Sequence, residues 1–338
     1  MFADEDIADP SYQKGSTLLN ETYTFQIANR TTGWLTKGIQ IDVTSELADA
    51  IQLRTVGLAP SEFPMYPNHD DNVLRVTPGL YPDPLYPVTD EGITAFPNQW
   101  RSLWVTIEVG EDVIPDKHDI HIAFKTGSDT SIAEETFTLD VLPVSLPEQT
   151  LIHTQWFHTD CIADQYDVPV FSEAHWKLIQ QYMKTAVDHG INMILTPLFT
   201  LPLDTEIGGE RPTVQLVDVE KNGDDYTFSF EKLKRWIDVC IESGVQYFEF
   251  SHLFTQWGAH HAPKIVGTEN GTEKKIFGWE TDATGADYRS FLEQFLPQLV
   301  TYIKEQGIEK RVYFHVSDEP SLDTSIRIKM QVTSFINI

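Results

Sequence analysis

Three times in the second half of this chain, a stretch of helical periodicity closes on a glycine and passes at once into an apolar strand. The junctions are His189-Gly190-Ile191, Ser243-Gly244-Val245 and Gln306-Gly307-Ile308. A glycine at that point takes the left-handed conformation that ends a helix and frees the chain to turn into the next element. The helices before these junctions carry apolar residues at three- and four-residue spacing. The first has Trp176, Ile179, Met183 and Val187, with Ser172 as its cap; the second has Phe230, Leu233, Trp236, Ile237, Cys240 and Ile241. The third has Tyr288, Leu292, Phe295, Leu299 and Ile303, and Pro297 within it is expected to kink or divide it. Strands are predicted over 151–157, 191–195, 245–250 and 311–316. Four strands alternating with three helices predict a parallel sheet, the front half of a (β/α) barrel.

The first part of the chain has the other period. Apolar and polar residues alternate over 23–27, 39–43, 51–54, 103–107, 120–124 and 136–141, with Gly, Pro and Asp between the runs. Six strands without intervening helices predict an antiparallel β-sandwich. The stretch 60–97, rich in Pro, Tyr and Asp, is expected to be a long irregular excursion. Leu142-Pro143-Val144-Ser145-Leu146-Pro147 is a stiff linker. The expected organisation is therefore a β-sandwich over 1–147 and a partial (β/α)8 TIM barrel over 148–338, a multidomain β plus α/β chain. A complete barrel takes about 250 residues, and fewer than 190 remain after 150. The second unit is thus expected to be an incomplete barrel, truncated after its fourth strand. An open half-barrel exposes sheet edges, so self-association, for instance as a homodimer, is expected.

Composition removes several functional classes. A formal charge of −27 repels phosphate backbones and anionic lipid, so neither nucleic-acid nor membrane partners are expected. The acidic start, Met1-Phe2-Ala3-Asp4-Glu5-Asp6, lacks the basic and apolar regions of a signal peptide, and a cytoplasmic location is expected. Two cysteines, Cys161 and Cys240, are too few for a disulfide framework or a zinc motif and are expected to be free thiols. Gly208-Gly209 has no Lys-Ser/Thr after it, so no phosphate loop is present. No cofactor is expected.

In a barrel the chemistry sits where the strands end. The fourth predicted strand runs into His315-Val316-Ser317-Asp318-Glu319-Pro320. Two adjacent carboxylates can be held in different protonation states by their surroundings, the arrangement acid/base catalysis uses. Acids at a helix N-terminus would be the ordinary structural explanation. The other strand ends place His158 and Asp160, Thr196 to Thr200, and Ser251, His252, Gln256 and Trp257 at the same mouth. Trp156, Trp257 and Trp279 are candidates for stacking on a sugar, or for plain packing. His252 with Asp160 would be the core of a metal-dependent alternative, but the sequence has neither His-x-His nor His-x-x-x-His spacing and no metal site is expected.

These residues resemble glycoside hydrolases of family 123, the β-N-acetylgalactosaminidases. The resemblance rests on Trp156-Phe157-His158-Thr159-Asp160-Cys161 and on the run from Glu249-Phe250-Ser251-His252 through Gln256-Trp257-Gly258-Ala259. It continues in His261-Ala262-Pro263-Lys264 and in the His315 to Pro320 motif, with Asn98-Gln99-Trp100 and Trp104 in the leading unit. It implies a hydrolase that removes terminal β-linked N-acetylgalactosamine from a glycan or glycoside by substrate-assisted, retaining catalysis. Glu319 would be the general acid and then base, and Asp318 would orient the substrate's 2-acetamido group. Trp156, His158, Asp160, Trp257, His252, His261 and His315 would bind substrate. Neighbouring carboxylates suit this scheme better than one with an enzymic nucleophile, which needs carboxyls about 5–5.5 Å apart flanking one bond. A non-catalytic glycan-binding module and an inactive structural fragment are the alternatives.

Overall fold

The computed structural model describes residues 1–7, 10–127, 130–203, 205–316 and 318. The chain divides into two compact units, Met1–Glu148 and Gln149–Ile338.

The first unit contains nine strands among its described residues: β1 (Lys14–Leu19), β2 (Thr22–Asn29), β3 (Thr36–Thr44), β4 (Ile51–Ser61), β5 (Gly79–Pro87), β6 (Ile93–Ala95), β7 (Arg101–Glu108), β8 (Lys117–Thr126) and β9 (Thr130–Ser145). They form two sheets, in the orders β1-β9-β8-β3-β6 and β2-β7-β4-β5. All pairings are antiparallel except β1 with β9. Alternation decides which face is buried. Leu103, Val105 and Ile107 of β7 and Ile120 and Ile122 of β8 point into one apolar core that draws on both sheets. Phe25 of one sheet stacks on Phe137 of the other, with ring centroids 4.2 Å apart.

The stretch 60–97 is more ordered than its composition predicts. β5 pairs along β4, and β6 pairs with β3. β5 carries Pro82, Pro84 and Pro87, which ordinarily exclude a strand. It lies at the edge of its sheet, where a missing N–H on the outer side breaks no ladder.

In the second unit, β10 (Thr154–Gln155), β11 (Met193–Thr196), β14 (Tyr247–Phe250) and β17 (Val312–Phe314) form a parallel sheet in chain order. The connections carry helices α1 (Thr159–Gln165), α2 (Glu173–Asp188), α3 (Glu231–Glu242) and α4 (Ala286–Glu305). Ser172 caps α2, its hydroxyl accepting from the His175 N–H. Gly190, Gly244 and Gly307 sit at φ +83°, +97° and +65° just after α2, α3 and α4, as a glycine stop requires. Trp176, Trp236, Phe248, Phe250, Phe291 and Phe295 anchor the core between helices and sheet. No helix among the described residues is long and apolar enough to cross a membrane.

Three local expectations need correction. The first parallel strand is only two residues long, because the chain leaves it at Trp156 to enter the short helix α1, which its sequence did not announce. α4 runs uninterrupted through Pro297. That proline is exposed, so the carbonyl it leaves unbonded lies on the solvent side of the helix. The connections after β11 and β14 also hold a second sheet, formed by β12 (Asp218–Asn222), β13 (Asp225–Ser229), β15 (Ile265–Glu269) and β16 (Thr272–Phe277) in the order β13-β12-β15-β16. Its two hairpins turn at Gly223-Asp224 and Asn270-Gly271. Asn270 and Gly271 have φ +53° and +76°, the signature of a tight primed turn.

Candidate active site

The C-terminal ends of the parallel strands bring together residues more than 150 positions apart. Trp156 follows β10, His252 follows β14, and His315 follows β17. The His252 and His315 rings meet at a 37° tilt with centroids 3.8 Å apart, and Trp156 meets both edge-on at 5.7 and 5.8 Å. Asp318 joins them: one donor atom from each of His252, His315 and Asp318 lies within 4.8 Å of the others. The backbone is held too, by the His315 N–H donating to the Phe250 carbonyl at 3.1 Å and the Ser251 N–H to the Thr196 carbonyl at 3.0 Å.

Beneath this cluster sits a buried charge. Glu249 on β14 accepts from the Thr154 hydroxyl at 2.6 Å through Oε2, and from His315 Nδ1 at 2.6 Å through Oε1. Burial pushes its carboxyl upward, but the hydrogen bond and charge of His315, with hydrogen bonds from Thr154 and Trp156, outweigh this and hold it below the usual glutamate value. An ionised carboxylate only accepts, so His315 Nδ1 carries the proton.

His252 is the opposite case. Its ring is 1% exposed, and neither nitrogen has a hydrogen-bond partner. Burial, with His315 beside it, depresses its pKa to about 3, so the ring is neutral at pH 7. A second buried histidine shows what satisfaction looks like. His175 donates from Nε2 to the Thr159 carbonyl at 2.8 Å and accepts the Phe171 N–H at Nδ1 at 2.9 Å. Buried polar groups in native proteins are almost always paired. His252 therefore has one donor and one acceptor reserved for a water or a ligand. Thr200 Oγ1, Gln256 Oε1 and His261 Nδ1 are buried and unpaired in the same way.

The remaining predicted residues fall elsewhere. Asp160, on α1, is committed to Arg211, whose Nε and Nη2 meet its two oxygens at 2.9 and 3.0 Å. Arg211 also donates to the Leu203 carbonyl at 2.6 Å. Asp160 thus serves as the counter-charge of Arg211 and does not form a metal site with His252. Two voids of about 10 Å³ each, room for a single water, flank Arg211, and Thr200 lines both. His261 packs against Trp279 at 5.8 Å, while Trp279 donates to the Gly209 carbonyl at 3.1 Å. His158 stands at the N-cap position of α1, with no cap hydrogen bond from its side chain. Trp257 is 53% exposed and lies at φ +58°, followed by Gly258 at +109° and Ala259 at +56°. Three successive left-handed residues, two of them not glycine, are a costly backbone of the kind that clusters at ligand sites. Glu319 lies outside the described residues. Cys161 and Cys240 are both free thiols, and full burial raises the Cys240 pKa.

The convergent donors His252, His315 and Asp318 raise the question of a metal. Ligand atoms around a tetrahedral zinc stand about 3.3 Å apart, and these lie within 4.8 Å of one another. The two imidazole planes are inclined at 37°, and His315 spends Nδ1 on Glu249.

Glu249, Thr154 and Arg211 are the site residues that sequence reasoning passed over. Glu249 did leave a signal, a single charge inside the apolar strand Tyr247-Phe248-Glu249-Phe250. Arg211 left none, since its partner is 51 positions away.

The four-stranded parallel sheet thus carries a polar, aromatic-walled cluster at its C-terminal edge. The glycoside hydrolase 123 catalytic domain matches residues 156–337, more than half of the chain. The chain belongs to glycoside hydrolase family 123. A solved family 123 glycoside hydrolase from Clostridium perfringens, described in terms of glycolipid glycan hydrolysis, superposes with a TM-score of 0.72 at 16% identity. The match covers 96% of this chain and 57% of that one, so this chain spans little more than half the length of that enzyme. At that identity the likeness speaks to the fold. Amebosin (TM-score 0.17, 12% identity, covering 38% of this chain and 86% of that one) and the SrpA adhesin of Streptococcus sanguinis (0.20, 10%, 66% and 87%) match too loosely to carry an argument. No curated protein matches.

Proposed function

We propose that this chain carries the chemistry of a retaining β-N-acetylgalactosaminidase, acting on terminal β-linked N-acetylgalactosamine of a glycan. The strand-end cluster supports this reading most directly. It combines an acid, Asp318, with a neutral buried His252 whose two nitrogens await a partner, beside the half-exposed face of Trp156. Apolar rings with a few unsatisfied polar atoms are what a sugar, with one apolar face and a rim of hydroxyls, requires. The unit that presents the cluster is read as the first four strands of a (β/α)8 barrel, and the leading unit as a β-sandwich.

In the reaction, Asp318 orients the 2-acetamido group and stabilises the charge that develops on it. The acetamido oxygen attacks the anomeric carbon as Glu319 protonates the departing glycosidic oxygen. This breaks the glycosidic bond and forms an oxazoline-type ring. Glu319, now a base, takes a proton from water as the water opens the ring. The product keeps the starting configuration, and both carboxyls return to their initial state.

The test is turnover of a chromogenic β-N-acetylgalactosaminide by the wild type and by Glu319→Gln, with the product anomer followed by proton NMR. The expected result is release of the β-anomer, loss of turnover in the variant, and inhibition by an oxazoline-mimicking thiazoline. Turnover no greater than that of Glu319→Gln would refute activity, and initial release of the α-anomer would refute the mechanism. Binding of N-acetylgalactosamine without turnover would identify a glycan-binding module instead.

A further inference from the structure

Glu249 is not where packing alone would put a glutamate. Its register neighbours across the sheet are Leu195 and Tyr313, and Leu195 is fully buried. An aliphatic residue would fill this row without the several kcal/mol that desolvating a carboxylate costs. Among the described residues, no lysine or arginine bonds to Glu249. Its partners are Thr154, from the first strand, His315, from the last, and the side chain of Trp156, just past the first strand. The carboxylate therefore ties together both outer strands of the parallel sheet, and it does so one layer below the cluster that contains Asp318.

The bond also has a chemical consequence. An acceptor-only carboxylate at Nδ1 admits a single neutral tautomer of His315, with the proton on Nδ1 and Nε2 left to serve the pocket. It also sets the ring plane, which packs at a 37° tilt against His252 and abuts Trp156.

We propose that Glu249, held by Thr154, is a positioning residue for the reaction. It fixes the tautomer and plane of His315, and His315 in turn holds Asp318 in the orientation that the acetamido group requires. The inference rests on the function proposed above, and it adds a hydrogen-bonded chain, Thr154–Glu249–His315, whose last ring lies within 4.8 Å of an Asp318 oxygen. Glu249 touches no reacting atom, so its removal lowers the turnover rate more than it weakens substrate binding.

The test has two arms. In the first, histidine ring nitrogens are labelled with 15N in the full chain, and His315 is assigned by its loss in His315→Gln. The wild type is expected to show His315 protonated at Nδ1. In Glu249→Gln, whose amide can donate to that nitrogen, the Nδ1 signal is expected to shift toward the other tautomer. In the second arm, the chromogenic β-N-acetylgalactosaminide is used as substrate. Glu249→Gln is expected to lose roughly 10- to 100-fold in kcat, the scale of a misplaced catalytic group, with KM within about threefold. Thr154→Val is expected to move kcat the same way by less, and Thr154→Ser, which keeps the hydroxyl, to restore it. These two variants carry the test if Glu249→Gln fails to fold. An unchanged His315 tautomer in Glu249→Gln would overturn the proposal, as would kcat losses matched by Thr154→Ser. A wild type without turnover would sink the functional reading, and the positioning claim would then stand or fall on the tautomer.

Discussion

Removing the guanidinium of Arg211 strands Asp160. The two side chains are 13% and 10% exposed and meet through two hydrogen bonds of 2.9 and 3.0 Å. In Arg211→Met the carboxylate stays in place with its counter-charge gone. It must then remain buried and unpaired, which costs about 3–5 kcal/mol. The Leu203 carbonyl also loses its donor, for about 1 kcal/mol. The expected loss is therefore about 4–6 kcal/mol. A chain of two compact units need not unfold in one step, so the measurement should be local. Amide hydrogen exchange of α1, Thr159–Gln165, reads the opening of this region, and 4 kcal/mol corresponds to about a thousandfold loss of protection. Asp160→Asn added to Arg211→Met should recover most of the loss. A loss below about 1 kcal/mol, or one that Asp160→Asn does not reduce, would show that the carboxylate is not buried against Arg211, and the reasoning would fail.

Two further outcomes follow from the same structure. His252 titrates near 3 when folded and near 6.5 when unfolded. Between those values the unfolded chain binds a proton that the folded chain refuses. Stability present above pH 6.5 is therefore lost as the pH falls, by about 2 kcal/mol at pH 5. Comparison of urea midpoints at pH 8 and pH 5 should show that drop reduced by about this amount in His252→Gln, and an undiminished drop would contradict the burial of the ring. The glycine stops should also differ in tolerance. A Cβ on Gly244, at φ +97°, would lie 2.9 Å from Val187 Cγ1, whereas one on Gly307, at φ +65°, would meet nothing within 4 Å. Gly307→Ala should cost about 1 kcal/mol for the left-handed backbone and Gly244→Ala at least twice that, in thermal melts; equal costs would rule out the contact with Val187.

Much of the frame was legible in the residues themselves, because it depends on local stereochemistry. Period-two alternation marked the strands of the first unit, and three glycines marked the ends of α2, α3 and α4. Ser172 announced a cap that its hydroxyl makes. The Asn270-Gly271 turn was equally open to reading, since its conformation is the one that this dipeptide favours. Where neighbours in space are distant in sequence, the residues carried little. Whether Pro82 and Pro84 disrupt a strand depends on β5 being an edge, and whether Pro297 divides a helix depends on which side faces solvent.

The candidate site divides along the same line. Sequence determined the residue types at each strand end and the order in which they arrive, and it did so through motifs that mark family 123. Only the tertiary structure decided their partners. Parallel register brings Thr154, Glu249 and His315 together across 95 and 66 positions. It leaves His252 buried with two idle nitrogens and takes Asp160 away to Arg211. Hydrogen bonding and desolvation act over a few ångströms of space, whatever the distance along the chain. The protonation state of each group is therefore a property of the assembled sheet and cannot be assigned from its place in the sequence.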